Sequence, residues 1–535
     1  MDGIRASCRP LEFLILVLLL LNRVVCSKRP QKLARAGSSP DPDRSKSGWN
    51  WDLLMNNTGV VAMHMAVTHH NKVVIFDQTD AGPSQYRLRK CKNRGGSRES
   101  SCYAHSVEYN IMKNTVRALH LTTDTWCSSG SFLGNGTLLQ TGGNGSGSKK
   151  IRIYKPCKDN KCDWTESKRE MFVRRWYSST LYLPKENSVI VVGGQSAFSY
   201  EFIRKLRANH TISRFCIAHL NEIQKGTIFV KKFPKIPGNG GRSYPSTGSS
   251  VILPLDHYDN YDKVEVMVCG GAARGAYTAA QRRRYLAGLR SCGRMVITGN
   301  RHKWKMENMP GPRVMSDMLM LPTGDILIIN GAKRGCAGWG TASDPALEPY
   351  LYKPERAPGH RFQVIKRTKI ARLYHSSAVL LPDGRILVAG GNPNNRYIMN
   401  GVAHPTELRL QSLTPDYMSP RFDHLRPKDV TVGYPRKANG VENGQVFNVS
   451  FTLGTESGNL SIVAYAPPFT THSLSMNQRL VRLECLGLEE DGGGRDRVQA
   501  SVVAPPSIYV APPGFYMLTV VNGGVPSKSS WLRIL

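Results

Sequence analysis

The sequence predicts an all-β protein in two parts, a kelch-type β-propeller followed by a smaller Ig-like β-sandwich. Three observations predict it. A pair of apolar strands ending in two glycines recurs along the first part of the chain. After about residue 410 the pattern becomes short alternating strands at sandwich spacing. At 535 residues the chain is also too long for one core of ordinary size unless repeats build it.

The chain opens on a secretory signal, residues 1–26. Arg5 and Arg9 precede the apolar run FLILVLLLL (Phe13–Leu21), and Val24 and Cys26 stand at −3 and −1 of a cleavage site. Nine apolar residues fall short of the ~20 that a spanning helix needs, so no transmembrane segment is expected. A basic polar lead fills 27–47. Sequons at Asn56, Asn135, Asn144, Asn209, Asn448 and Asn459 fit an exported glycoprotein. In an oxidising compartment most of the ten cysteines left after cleavage should pair. Cys91–Cys102, Cys157–Cys162 and Cys269–Cys292 are the plausible pairs, whereas Cys127, in TWCSSGS, has no near partner.

The propeller is expected over 48–409. Its strand pairs read at GSFLGNGTLLQTGG (130–143), STLYLPKENSVIVVGG (179–194), DMLMLPTGDILIINGA (317–332) and SSAVLLPDGRILVAGG (376–391). A looser copy spans 249–271 and an opening copy 59–80. Asn-Gly and Asp-Gly turns are hairpin chemistry, and glycine pairs let backbones approach closely. Six blades are counted this way. The long interval from Gly194 to Gly271 suggests a shortened seventh around 201–235. The sandwich is expected over 410–535, in strands such as QVFNVSFTL, LSIVAYAPP and FYMLTVVNGG.

The charge is unusual. Lys and Arg number 72 against 39 Asp and Glu, a net +33, with clusters at Arg87–Lys90 and Arg282–Arg284. Such a field favours a polyanion. No nucleic-acid module is recognisable, so nucleic acid is not the expected partner. For an exported protein an acidic polysaccharide fits better.

The repeats align chemistry as well as strands. Tyr177 in RRWYSS and Tyr374 in RLYHSS occupy, within a residue, the same place in different blades, and Trp126-Cys127 holds it in the blade before Tyr177. The first strand of each propeller blade lines the central axis, so two phenols, the His375 imidazole and the Cys127 thiol converge there. Imidazole suits copper, and phenolate and thiolate are anionic donors. A further histidine, His472, lies on a loop of the sandwich, in THSLSMNQR. The tandem His69-His70 reads as a strand pair pointing to opposite faces, unable to chelate one ion.

Five stretches in this order, TWCSSGSFLGNGTLLQTGG, RRWYSSTLYLP, RLYHSSAVLLPDGRILVAGG, THSLSMNQR and PPGFYMLTVVNGGVPS, resemble the galactose oxidase and glyoxal oxidase group of copper radical oxidases, most of all its plant glyoxal oxidase-like members. The resemblance runs from about Gly48 to Leu535 and fails mainly at 201–235. It implies seven blades. It also implies a Cu(2+) ion held by Tyr177, Tyr374, His375 and His472, with His472 supplied by the sandwich. Cys127 resembles the cysteine bonded through sulfur to a tyrosine ring, here Tyr177, as a Cys-Tyr radical cofactor. Tyr374 resembles the axial tyrosine that acts as base. An aromatic ring stacked over the thioether is also implied, with Trp176 and Phe198 as candidates.

These features imply a secreted, monomeric wall enzyme that oxidises small glyoxal-like aldehydes to acids and reduces O2 to H2O2, held on acidic pectin by charge. Galactose oxidase-like oxidation of the C6 alcohol of wall galactosyl groups is the alternative substrate reading. A non-catalytic kelch-type wall-binding protein is the alternative from another class.

Overall fold

The computed structural model describes residues 48–88, 102–204, 217–219, 233–435, 438–454, 458–491 and 496–535. The signal, the basic lead and Cys91 lie outside the described residues. Cys157–Cys162 and Cys269–Cys292 are disulfide-bonded as expected, and Cys127 and Cys336 are buried free thiols.

Each Gly-terminated hairpin forms the inner half of a four-stranded antiparallel blade. The first blade runs His64–Thr68, Lys72–Phe76, Ser106–Asn110, Thr115–Leu119, and the second Ser129–Phe132, Leu138–Thr141, Ile151–Tyr154, Trp164–Glu166. The third is Ser179–Leu183, Ser188–Val192, Ser199–Arg204, Ile217–His219. The fourth is Ser249–Ile252, Glu265–Cys269, Ser291–Val296, Lys305–Asn308. The fifth is Asp317–Met320, Ile326–Ile329, Tyr350–Tyr352, Phe362–Val364. The sixth takes Ser376–Leu380, Ile386–Gly390 and Leu410–Thr414 from one end of the ring and Asn50–Met55 from the other, with Trp51 opposite Leu413. The strand that precedes the first blade is thereby hydrogen-bonded into the last, which closes the ring.

Two expectations change. Among the described residues there are six four-stranded blades and no seventh. Ser199–Arg204 and Ile217–His219, inside the interval expected to hold a shortened blade, are the outer strands of the third. The propeller also runs past the expected limit of 409, because Leu410–Thr414 pairs within the sixth blade.

Beyond it, eight strand segments form a second β unit, joined by one short strand from the fourth blade. Lys428–Gly433, Val446–Thr452 and Arg497–Val503 lie on one side of the long strand Arg479–Glu490, and Leu460–Ala466 and Gly514–Asn522 on the other. They enclose a core that includes Phe447, Phe451, Ile462, Leu483 and Leu518. Leu255–Asp256, from the fourth blade, pairs with Val481–Arg482, and Arg482 forms an ion pair with Asp256 at 2.8 Å.

One device repeats in four blades. An arginine, buried in three of them and half-buried at Arg242, precedes the inner strand and donates to carbonyls at the end of the second strand and the start of the third. Arg175 donates to Gly193 O and Ser199 O at 2.7 and 2.9 Å, and Arg372 to Gly390 O and Arg409 O, both at 2.9 Å. Arg313 reaches Asn330 O and Glu348 O, and Arg242 reaches Gly270 O and Ser291 O. Each ties the segment that enters the axis to its own blade. Burial lowers the Arg372 guanidinium to about 10, which leaves it charged at neutral pH.

Asp317, on the inner strand of the fifth blade, is fully buried. One oxygen accepts from Asn330 Nδ2 at 2.8 Å, and the other has no partner. Burial raises its carboxyl to about 8. The folded chain therefore keeps a proton that the unfolded chain releases near pH 4, so stability falls as pH rises from about 4 to about 8. Asp317→Asn should flatten that decline. Melting temperatures measured across this range should fall less for the variant than for the parent chain.

Candidate metal centre

The residues that enter the axis share an uncommon backbone. Cys127, Tyr177, Thr247, Met315 and His375 have φ of +53, +65, +42, +59 and +63°. Each stands two residues before Ser129, Ser179, Ser249, Asp317 or Ser377, positions whose strand partners are Thr141, Val192, Cys269, Ile329 and Ala389. Five blades thus present one side chain each at the same height. The residue equivalent to Tyr177 is His375, and Tyr374 stands one place earlier. Left-handed backbone is costly for such residues, and the arginine ties oppose its relaxation. The glycine turns make room: at Gly142, φ +74°, a Cβ would lie 2.2 Å from the Arg175 carbonyl oxygen.

The second β unit completes the cluster. Its hairpin Phe469–Thr471 and Leu474–Met476 enters the ring, and Phe469–Thr471 pairs antiparallel with His64–Ala66 of the first blade. Phe469 abuts Gly130 of the second blade, where a Cβ would meet its ring at 2.5 Å. Asn477 donates to Thr180 O at 3.4 Å in the third blade. Gln478 bonds Met318 O and Met320 N, both at 3.0 Å, in the fifth. His472 is at the hairpin turn with φ +47°.

All five residues expected from the sequence meet here. Cys127 Sγ lies 3.1 Å from His472 Nε2, and the Tyr177 and Tyr374 hydroxyls are 2.5 Å apart. Ligand atoms of Cys127, His375 and His472 all lie within 4.8 Å of one another. The His375 ring stacks on Tyr374 with centroids 3.9 Å apart and meets His472 edge-on at 5.1 Å. Both ring nitrogens of His375 are buried without a hydrogen-bond partner. A buried imidazole is ordinarily satisfied, so this is a donor set lacking its acceptor. Burial drives His375 well below the ordinary histidine range and His472 to about 3, so both are neutral. Burial, Cys127 and Tyr374 or Tyr244 push the Tyr177 and Tyr374 phenols well up. Neutral imidazoles and phenols that ionise only beside a cation fit a copper ion.

The expected stacking ring is neither candidate. Phe198 is exposed, and Trp176 meets Tyr177 edge-on at 4.8 Å. The ring that stacks on Tyr177 is Tyr244, at 4.0 Å and 29°. The signal was present in RSYPSTGSS (242–250), a further copy of the segments RWYSS and RLYHSS. Two other neighbours were also missed. His64 bonds Ser128 Oγ at 3.0 Å and faces His472, and Trp339 stacks on Trp126 at 4.5 Å. His69 and His70 lie in a turn rather than on a strand, with rings 4.1 Å apart. His69 stacks on Phe515, away from the centre.

The family described as "Glyoxal oxidase N-terminus" matches residues 63–227 and 216–417, and "Galactose oxidase-like, Early set domain" matches 426–534. The chain belongs to the glyoxal oxidase family. It is therefore a copper radical oxidase. Aldehyde oxidase GLOX1 of Arabidopsis thaliana is 39% identical over 91% of this chain and 84% of its own length. Aldehyde oxidase GLOX of Vitis pseudoreticulata is 39% identical over 91% of this chain and 97% of its own. A fungal alcohol oxidase of the AA5 family, solved in complex with copper, shares the fold with TM-score 0.63 at 18% identity, covering 91% of this chain and 99% of its own. The early set match falls on the second β unit.

Phe469→Ala tests how the centre is held. Truncating a buried Phe costs about 3–5 kcal/mol, and here it also frees the hairpin that carries His472. The variant should melt lower and bind copper more weakly than the parent chain, measured by calorimetry and by equilibrium dialysis against Cu(II).

Proposed function

We propose that this chain oxidises small aldehydes, as their hydrates, to carboxylic acids and reduces dioxygen to hydrogen peroxide. Tyr177, Tyr374, His375 and His472 would hold copper, with Cys127 bonded through sulfur to the Tyr177 ring. The observation that carries the reading is the meeting of these five side chains on one axis, around a histidine whose two nitrogens have no other partner. The substrate class follows the names of the plant relatives.

Removing hydrogen from an aldehyde hydrate takes two electrons and two protons, and dioxygen receives both pairs to give peroxide. Copper held by Tyr177, Tyr374, His375 and His472 would supply a one-electron acceptor and a route for electrons to dioxygen. The Tyr177 ring, with sulfur attached, stores the other oxidising equivalent, because sulfur spreads the unpaired electron. Tyr374 takes the proton from the substrate hydroxyl, and its hydrogen bond to Tyr177 at 2.5 Å keeps its oxygen at the centre. Tyr244 covers one face of the Tyr177 ring and keeps water from it. The two imidazoles remain neutral donors throughout.

The protein would act outside the cell, in the wall, where its charge holds it on acidic polysaccharide such as pectin. The C6 alcohol of galactosyl groups is the second substrate reading. A peroxide-coupled assay of copper-loaded protein against glyoxal-type aldehydes and galactosides separates the two. Cys127→Ala should abolish peroxide production, and the parent chain should weigh two hydrogen atoms less than its uncrosslinked sequence. If Cys127→Ala keeps full activity, the radical assignment fails.

A further inference from the structure

The loop between the second and third strands of the fourth blade, residues 270–290, rises on the end of the ring where Tyr177 and His375 enter. Cys269–Cys292 staples its base. Within it the six-residue helix Ala276–Gln281, about 9 Å long, separates Arg274 from Arg282, Arg283 and Arg284. All four arginines are exposed, and none has an acidic partner among the described residues. Residues 270–290 carry five Arg and no Asp or Glu. The loop itself therefore offers positive charge with no acidic residue of its own beside it.

The rim also has a shape. An open cleft of about 500 Å³ lies between the helix and the turn that carries Tyr244, lined by Pro245, Ser246, Arg274 and Tyr277 among others. Tyr244 stacks on Tyr177, and the next two residues of that turn form the cleft wall. Tyr277 is half exposed and lines the same cleft as Pro245 and Ser246 of that turn. An exposed phenol beside a guanidinium, in an open cleft, is the combination that takes a sugar ring by its apolar face and a carboxylate by its charge.

We propose that this cleft and the arginine run behind it bind a polyuronate, a polysaccharide whose sugars bear carboxylates, and hold it beside the candidate centre. The assignment rests on the oxidase reading for its purpose, but the binding itself does not depend on copper.

The test is cosedimentation of the full mature chain with polygalacturonate at low ionic strength, with and without copper. Replacing Arg274, Arg282, Arg283 and Arg284 together by Ala should weaken binding roughly a hundredfold, with melting temperature and copper content unchanged. Tyr277→Ala should weaken binding to polygalacturonate but not to polyglutamate, which offers carboxylates without sugar rings. The proposal is overturned if the fourfold variant binds as the parent does. It is equally overturned if the parent binds polyglutamate or single-stranded DNA as tightly as polygalacturonate of equal charge. A chain that binds polygalacturonate through these residues yet makes no peroxide would refute the oxidase reading and leave this site standing.

Discussion

Everything at the axis depends on three backbone pairings, Ala66 with Phe469, Met65 with Thr470 and His64 with Thr471. They graft a hairpin of the second β unit onto the inner strand of the first blade, where a propeller would otherwise keep a solvent channel. The hairpin fills that channel with Phe469 and carries His472 to the height of the other four residues. The second unit is therefore part of the centre, and its own core serves to hold one histidine still. Side-chain bonds to the third and fifth blades fix the depth of insertion to that allowed by Gln478 and Asn477.

The other half of the centre depends on stored conformation. Five entering residues hold left-handed backbone, which relaxed chains avoid. In four of the five blades an arginine opposes that tendency by bonding two carbonyls of the same blade. The arginines need no carboxylate at every copy: Arg175 pairs with Glu201 at 2.7 Å, whereas Arg372 is satisfied by carbonyls and Gln411. A guanidinium is a rigid fork with several donors, which suits bracing two carbonyls at once. The same segments that give the fold its repeat thus position the side chains that break the repeat.

The sequence made legible whatever was written in a local pattern. Hairpins ending in Gly-Gly located the inner strands, and the matching segments before them located Cys127, Tyr177, Tyr374 and His375. What failed had no local signature. Outer strands such as Ser199–Arg204 end in no glycine pair, so they were read as remnants of another blade. Leu410–Thr414 alternates like a sandwich strand, but its partner is Asn50–Met55, more than three hundred residues away in sequence. Tyr244 was passed over because Pro245 and Thr247 interrupt the motif that its neighbours share. His472 was legible only as an isolated histidine on a loop, and its place at the axis came through the resemblance, since no spacing ties a loop of the second unit to the propeller axis.

The closure of the ring by Asn50–Met55 has a consequence for biogenesis. The strand that seals the sixth blade is made first and waits for a partner made some three hundred and fifty residues later, and the last axial histidine follows after another sixty. A growing polypeptide on the ribosome can therefore complete outer β-sheets but not this pocket. Metal capture at this centre therefore waits until the chain has been made past His472 and its hairpin has paired with the first blade.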